Sequence, residues 1–197
     1  MKGTDNLASE NKAFSGRLLK FIMAVSVSFL VLTVIFFGSV SILRILYPTE
    51  YGNFVEKYTE ENNLPEYFVY AVIECESGYD EKAVSYADAR GLMQLTPETF
   101  QWLQSKKGEK LSEEMLFDPQ TNIEYGCYFY GILFEKYKDE ATAIAAYHAG
   151  MGNVSKWLKD ERYSRDGKTL YDIPFSNTKK YVNKVIKTQN IYSKLYL

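Results

Sequence analysis

A long uncharged segment near the N-terminus constrains the fold more than any other feature of this chain. Residues 21–43 are 23 consecutive residues without a charged side chain. As a helix rising 1.5 Å per residue, they would span roughly 34 Å, which is enough to cross the hydrocarbon core of a bilayer. The apolar region of a cleaved signal peptide is usually shorter, about 7–15 residues, and ends in a small-residue cleavage site. Such a site is only weakly present here, so we predict a transmembrane anchor, with a signal peptide as the alternative.

Basic residues flank this segment unequally. Lys12, Arg17 and Lys20 precede it, whereas Arg44 is the only basic residue close behind it. The positive-inside rule therefore predicts a single-pass protein of the cell membrane, with a cytoplasmic N-terminus. The polar residues 1–16 are expected to be disordered. The predicted parts are a cytoplasmic N-terminal tail (1–20), a transmembrane anchor (21–43), a linker (44–53) and an extracytoplasmic domain (54–197).

The composition excludes several classes of function. The chain carries 23 basic and 25 acidic side chains, a net charge of -2, so it lacks the basic surplus of a nucleic-acid-binding protein. One histidine and two cysteines cannot supply a four-ligand Cys/His zinc site, and no metal or cofactor is expected. Cys75 and Cys127 lack CxxC spacing, and either a disulfide or two buried thiols would fit the sequence.

Helix signals follow one another after residue 48, without the period-two alternation that indicates strands. Proline at a first helical position, Asp or Thr caps, and terminating glycines predict where the helices begin and end. The predicted fold class is all-α. The predicted helices start at Pro65, at Thr96-Pro97 and at Asp118-Pro119, and two more cover residues 141–149 and about 176–192.

Glu76 is the residue that departs most clearly from its local pattern. At 100° per residue, Val72 and Ile73 lie on either side of it, so its carboxyl group falls in the middle of the apolar stripe of the first helix. Glu74 falls on the polar face of the same helix. A glutamate among apolar neighbours has a raised pKa, which suits a general acid. A glutamate at a fraying helix end is the simpler alternative.

Four short motifs follow one another along the chain, and two further segments support them. They are Glu76-Ser77, Ser85 leading into Gly91-Leu92-Met93-Gln94, Ala146-Tyr147-His148-Ala149-Gly150, and Tyr181-Val182, supported by Asp118…Asn122-Ile123…Gly126 and Gly152-Asn153-Val154…Trp157. Over about residues 54–190 the chain resembles the lytic transglycosylase SLT domain family, whose core is shared with goose-type lysozyme. The resemblance implies a lysozyme-like helical domain behind the single transmembrane helix.

The resemblance also implies an activity, namely cleavage of the β-1,4 bond between N-acetylmuramic acid and N-acetylglucosamine in peptidoglycan. Glu76 would protonate the glycosidic oxygen and then, as a base, deprotonate the C6 hydroxyl, which closes to a 1,6-anhydro sugar. Unlike most glycosidases, this chemistry needs one carboxyl group. A tethered enzyme of this kind would act on glycan strands locally, in wall remodelling or in opening a passage for an envelope-spanning machine.

By the same resemblance, the substrate-binding residues would be Ser85, Gln94, Tyr147, His148 and Tyr181. Three positions depart from the family pattern. His148 stands where asparagine is usual, Asp88 replaces a glycine in the loop before Gly91, and Asn177 replaces an acidic residue.

Three other functions are compatible with parts of the sequence. A Cys–His peptidase would use Cys75 or Cys127 with His148, although a helical cysteine beside an apolar stripe is usually inert. A hydrolytic muramidase would use the same fold. A catalytically inactive wall-binding module would keep the fold without the chemistry.

Overall fold

The computed structural model describes the backbone of residues 2–197, and the side chains of Lys20, Met23 and every residue from Val25 onward. The chain separates into two compact units, with the boundary between Pro48 and Thr49.

The first unit is a single helix, α1, which runs over Lys2–Leu46. Its stretch Val25–Leu46 has 22 residues, is long and apolar enough to cross a membrane, and contains no buried residue. The side chains of Phe29 and Leu32 are 72% and 65% exposed. The prediction of a disordered N-terminal tail is wrong, because the helix already begins at Lys2. Once a helix is nucleated, each added residue gains a hydrogen bond without a new nucleation cost, so polar residues can extend it.

The second unit consists of seven α-helices and a short 3-10 helix, which confirms the predicted all-α class. In the described residues, β pairing is limited to isolated bridges from Arg90 to Val84 and to Leu95. The helices are α2 (Gly52–Asn62), α3 (Glu66–Glu76), α4 (Pro97–Lys107), the 3-10 helix (Glu113–Phe117), α5 (Pro119–Tyr137), α6 (Glu140–Ala149), α7 (Met151–Trp157) and α8 (Ser176–Tyr196).

Side-chain caps explain where α4 and α5 begin. The side chain of Thr96 accepts a hydrogen bond from the Thr99 amide at the start of α4. The carboxylate of Asp118 accepts one from the Thr121 amide at 2.8 Å at the start of α5. Each cap satisfies an amide that the first helical turn leaves unpaired, and Pro97 and Pro119 follow at positions that need no donor.

The predicted apolar stripe of α3 forms the centre of the core. Val69, Val72 and Ile73 are completely buried. α3 packs mainly against α8, while α5 packs against α2 and α6. Phe68 of α3 meets Tyr130 of α5 edge to face at 4.8 Å between ring centroids. This packing brings the C-terminal end of α3 next to α8, although the two helices are about a hundred residues apart in sequence.

Several helix boundaries differ from the sequence prediction or were not predicted. Pro65 is the N-cap of α3, in an extended conformation, and the helix begins one residue later. α8 continues to Tyr196 instead of ending near residue 192. α2, for which no boundaries were predicted, is bounded by Tyr51 and Asn63, two non-glycine residues in left-handed conformations, and its N-terminal end has no side-chain cap.

Candidate active site

Glu76 is the last residue of α3, and the chain turns away directly after it. Ser77 is the C-cap, and Gly78 adopts a φ of 58°, which glycine tolerates without strain. The Ser77 hydroxyl donates to the Leu92 carbonyl at 2.9 Å and so connects the helix end to the following loop. The side chain of Glu76 is partly buried. Its carboxyl group therefore lies at the edge of the core, as the helical pattern predicts.

The environment of Glu76 favours its protonated form. Burial raises the pKa of its carboxyl to about 7, against the lowering effects of a hydrogen bond from Tyr181 and the charge of Lys184. The Tyr181 hydroxyl donates to Oε1 at 2.5 Å. Lys184 is on the same helix as Tyr181, and its ammonium donates to the Cys75 carbonyl at 2.9 Å. A carboxyl with this pKa can both give and take a proton near neutral pH.

A buried amide holds the loop that faces Glu76. The Asn122 side chain of α5 accepts from the Met93 amide at 2.7 Å and donates to the carbonyls of Arg90 and Leu116 at 3.0 and 2.7 Å. A Cβ atom at Gly91 would collide with the Leu116 carbonyl and with Asn122. The loop can therefore approach α5 this closely only with glycine at position 91.

Gln94 lies on this loop with a φ of 50°, and its side-chain amide forms hydrogen bonds to the backbone of the loop itself. Its Nε2 donates to the carbonyls of Ala83 and Gly91 at 3.1 and 3.0 Å. With both amide protons engaged, the side-chain oxygen is the atom that remains for a ligand.

Ser85 and Asp88 define a tight turn on the other side of the loop. The Ser85 carbonyl accepts from the Asp88 amide, and its hydroxyl oxygen accepts from the Ala89 amide, both at 3.0 Å. Asp88 has a φ of 59°, so it adopts the left-handed conformation that a glycine would adopt easily. Its two carboxylate oxygens receive the Arg90 guanidinium at 2.9 and 3.0 Å. Asp88, which stands where the family usually has glycine, thus still adopts the left-handed conformation of the turn.

Tyr147 and His148 approach the site from the end of α6. The Tyr147 hydroxyl donates to the Met93 carbonyl at 2.6 Å, and its ring stacks on Tyr130 at 4.1 Å. The imidazole of His148 contacts the ring of Tyr181 at 4.5 Å, and its Nδ1 lies 3.1 Å from the Thr178 hydroxyl. Partial burial lowers the pKa of His148 below its usual range.

These elements enclose a cavity of about 320 Å³. It is lined by Glu76, Ser85, Ala87, Ala89, Gln94, Leu95, Thr96, Thr99, Phe129, Tyr147 and His148. Glu76 is the one carboxyl group among these residues. A second cavity of about 570 Å³ continues past His148 and is lined by residues of the segment that leads into α8, among them Phe175 and Asn177. Because His148 lines both cavities, open space lies on each side of this residue.

Five of the six predicted site residues line the first cavity, and Tyr181 lies behind Glu76 as its hydrogen-bond donor. From the sequence, no role at the site was assigned to Asn122, Lys184 or Tyr130, although Asn122 lies in a segment that supports the family resemblance. Tyr130 is fully buried, and its hydroxyl lies 3.4 Å from that of Tyr181. All three look like ordinary helix residues in the sequence, because their partners come from distant segments.

The cysteines do not form the pair that a Cys–His peptidase requires. Both are free thiols. In the described part of the chain, the Cys75 thiol donates to the Thr188 hydroxyl at 3.6 Å, whereas the hydrogen-bond partner of His148 is Thr178. Cys127 is completely buried, and burial raises the pKa of its thiol, which disfavours the reactive thiolate.

Known proteins share this domain. The Transglycosylase SLT domain family model matches residues 53–170. The soluble lytic murein transglycosylase of Escherichia coli (strain K12) is 30% identical over 151 residues, which are 74% of this chain and 23% of that protein. Membrane-bound lytic murein transglycosylase C of Haemophilus influenzae (strain PittGG) is 28% identical over 163 residues, which are 71% of this chain and 46% of that protein.

A solved structure agrees with these relatives. The X-ray structure of an inactive glutamate-to-glutamine mutant of lytic transglycosylase Slt from Pseudomonas aeruginosa has a TM-score of 0.68 and 30% identity. The match covers 77% of this chain and 25% of that one, so the chain spans about a quarter of the length of this protein and of the Escherichia coli relative. Glu76, Ser85, Gln94, Tyr147 and His148 lie within the residues that the family model matches. Because that match covers more than half of the chain, the protein belongs to the transglycosylase SLT domain family.

Proposed function

We propose that this chain is a membrane-anchored lytic transglycosylase that cleaves the β-1,4 bond between N-acetylmuramic acid and N-acetylglucosamine in peptidoglycan. The observation that carries the proposal is the carboxyl group of Glu76, which has a pKa of about 7 and opens onto a cavity large enough for a sugar. The named relatives, which are lytic murein transglycosylases, support the same reaction class.

In the first half of the proposed reaction, Glu76 acts as the general acid. It gives its proton to the glycosidic oxygen, and the bond between that oxygen and C1 of the muramoyl sugar breaks. Positive charge develops at C1, next to a carboxylate that has just formed. Partial burial of this carboxylate strengthens its interaction with the cationic sugar.

In the second half, the Glu76 carboxylate acts as the base. It removes the proton of the C6 hydroxyl, whose oxygen forms a bond to C1 and so gives a 1,6-anhydro end without water. The acid is regenerated in the same step, so no second carboxyl is needed. The nearby acidic side chains are otherwise engaged, since Glu81 accepts a hydrogen bond from Tyr51 and Asp80 accepts one from the Lys82 amide.

The remaining predicted residues have proposed roles in binding the glycan. Ser85 and the Gln94 side-chain oxygen would hydrogen-bond the muramoyl unit, and Tyr147 would line its pocket. His148 lies between the two cavities, where a ring nitrogen can reach the sugars on either side of the scissile bond. Tyr181 would orient Glu76 from behind.

We also propose that α1 is an uncleaved anchor with its N-terminus in the cytoplasm, so that the second unit acts outside the membrane. The exposed apolar stretch Val25–Leu46 and the basic residues before it support this arrangement. A signal sequence would have a similar composition and remains the alternative.

The experiment is a digest of purified peptidoglycan by the full chain, analysed by mass spectrometry. Anhydro ends are lighter by one water than reducing ends, so the product mass separates a transglycosylase from a hydrolytic muramidase. Glu76→Gln should lower turnover by about 10²–10⁴-fold. The matched control, Glu74→Gln, changes the neighbouring polar-face carboxyl and should retain activity. Reducing ends alone would overturn the transglycosylase assignment, and intact glycan chains would favour a wall-binding module.

A further inference from the structure

The solvent-facing side of α8 carries several lysines, of which Lys184 alone acts on the pKa of the proposed catalytic carboxyl. This 21-residue helix contains five lysines and no acidic residue. The preceding part of the chain differs from it, because residues 21–175 hold 14 basic and 23 acidic side chains, a balance of 14 - 23 = -9. The positive charge is therefore concentrated on one helix of a domain that is otherwise acidic.

Four of the lysines form a row along this helix, which we call the lysine row: Lys180, Lys184, Lys187 and Lys194. At 100° per residue they fall within an arc of about 80°, centred about 140° from the buried face. All four are exposed. Lys184 donates to the Cys75 carbonyl, while Lys180, Lys187 and Lys194 have no carboxylate within 4.0 Å in the part of the chain that the structure describes.

The connection to α1 limits which anionic surface these lysines can meet. α1 ends at Leu46 and α2 begins at Gly52, so five residues join them. Five residues span at most about 17 Å when fully extended. If α1 is an anchor, the second unit is permanently held near lipid headgroups. A local cationic row then acts at a high effective concentration of anionic lipid.

We propose that the lysine row binds the anionic headgroups of the membrane in which α1 is anchored, and so orients the domain on the bilayer surface. This inference rests on the proposed membrane anchoring. Ammonium groups on flexible stems suit a fluid array of phosphates, since they act as point charges that need no fixed geometry. The attraction falls off within a Debye length and is screened by salt.

The test measures lysine reactivity in the full chain. The protein is reconstituted into nanodiscs of phosphatidylcholine alone, or of phosphatidylcholine with about one third phosphatidylglycerol. Lysines are acetylated, and the rate at each site is read by mass spectrometry. We expect Lys180, Lys187 and Lys194 to react at least about threefold more slowly in the anionic discs, and the protection to disappear at high salt. Lys110 and Lys159, which are exposed elsewhere in the domain, should react equally in both.

Matched variants test whether the row acts as a unit, with Lys184 as the reporter. The triple variant Lys180→Gln/Lys187→Gln/Lys194→Gln should abolish the protection of Lys184 in anionic discs. The control Lys106→Gln/Lys110→Gln/Lys159→Gln removes the same amount of charge and should preserve the protection of Lys184.

The outcomes separate this inference from the anchor on which it rests. Equal labelling of the row in both disc types would overturn the inference even if the chain copurifies with the discs. Failure to copurify with phosphatidylcholine discs would contradict the anchor. In that case, the acetylation rates measured with anionic discs present would still show whether the lysine row binds anionic lipid. Protection by added soluble glycan strands, but not by anionic lipid, would show that the row binds the wall and would also overturn the proposal.

Discussion

The Tyr181 hydroxyl donates a 2.5 Å hydrogen bond to Oε1 of Glu76, across 105 positions of sequence. Two effects on the Glu76 carboxyl oppose each other here. Burial favours the neutral acid, whereas the Tyr181 hydrogen bond favours the carboxylate, and burial dominates. A pKa of about 7 leaves the two forms close in free energy near neutral pH, as a group that acts first as acid and then as base requires.

The raised pKa of Glu76 should be visible in the stability of the folded protein. Because the folded-state pKa is about 7 and the unfolded value is 4.5, the folded state binds more protons between these pH values and loses stability as pH rises through that window. Glu76→Gln removes the ionisation. We expect it to be more stable than wild type by about 1–3 kcal/mol above pH 7, after allowance for the partial exposure of Glu76.

Denaturant unfolding of both proteins at several pH values measures this difference. It should be small near pH 4.5 and reach its full value above pH 7. The control Glu66→Gln, at the exposed first turn of the same helix, should show no such rise across the window. A Glu76→Gln difference that is independent of pH would contradict a raised pKa.

Local sequence signals predicted the helices that carry the site, because caps and apolar periodicity are encoded by neighbouring residues. They also placed Glu76 within the α3 stripe. The contact between Glu76 and Tyr181 has no local signal, since it depends on how α3 packs against α8, and only the family resemblance pointed to Tyr181. Tyr130 could not be found at all, because a buried tyrosine on an apolar stripe is indistinguishable from other core residues until its hydroxyl is located. The sequence identified Asp88 as a departure from the family pattern, whereas its left-handed φ became clear only in the structure.

Tyr181→Phe should move the pH dependence of activity toward alkaline values. The lost hydrogen bond favours the carboxylate, so its removal raises the Glu76 pKa further and keeps the acid protonated at higher pH. A hydrogen bond to a charged group contributes about 1.5 kcal/mol or more, which corresponds to a shift of about one pH unit in the alkaline limb. The measurement is kcat/KM for release of soluble products against pH. Tyr171→Phe, an exposed tyrosine outside the cavity lining, is the control, and an unshifted alkaline limb would argue against the assigned role of this bond.

The stability of variants at Asp88 should depend on backbone conformation more than on charge. Its φ of 59° is tolerated by glycine and unfavourable for alanine. Both Asp88→Gly and Asp88→Ala remove the exposed ion pair with Arg90, so their difference isolates the backbone effect. We expect Asp88→Ala to be less stable than Asp88→Gly by about 1 kcal/mol in denaturant unfolding. Equal stabilities would mean that the turn does not need the left-handed conformation.

The anchor makes a prediction about membrane extraction. The full chain should remain in the membrane pellet after alkaline carbonate treatment, with its N-terminal residues intact. Arginine at the centre of a transmembrane helix disfavours insertion by about 2.5–3.5 kcal/mol per residue, so Val31→Arg/Ile35→Arg should shift the protein to the soluble fraction. Val84→Arg/Leu111→Arg adds the same charge at exposed apolar positions of the second unit and should stay in the pellet. A soluble wild-type product that begins after the apolar run would instead identify a signal peptide.

Two glycines with similar backbone angles should respond very differently to alanine. Gly78 and Gly91 have φ values of 58° and 75°, so alanine is strained at both by about 1 kcal/mol or more. A Cβ at Gly78 would meet nothing within 4 Å, whereas at Gly91 it would meet the Leu116 carbonyl and Asn122. Relief of that overlap would displace the loop from α5 and disturb the hydrogen bonds of the buried amide. We therefore expect Gly91→Ala to be destabilised by about 3 kcal/mol or more, against about 1 kcal/mol for Gly78→Ala, in urea unfolding. Gly91→Ala should also lose activity at temperatures where it is still folded, because Gln94 moves with the loop. Similar destabilisation by the two substitutions would show that the φ angle alone, and not the close approach to α5, requires glycine at position 91.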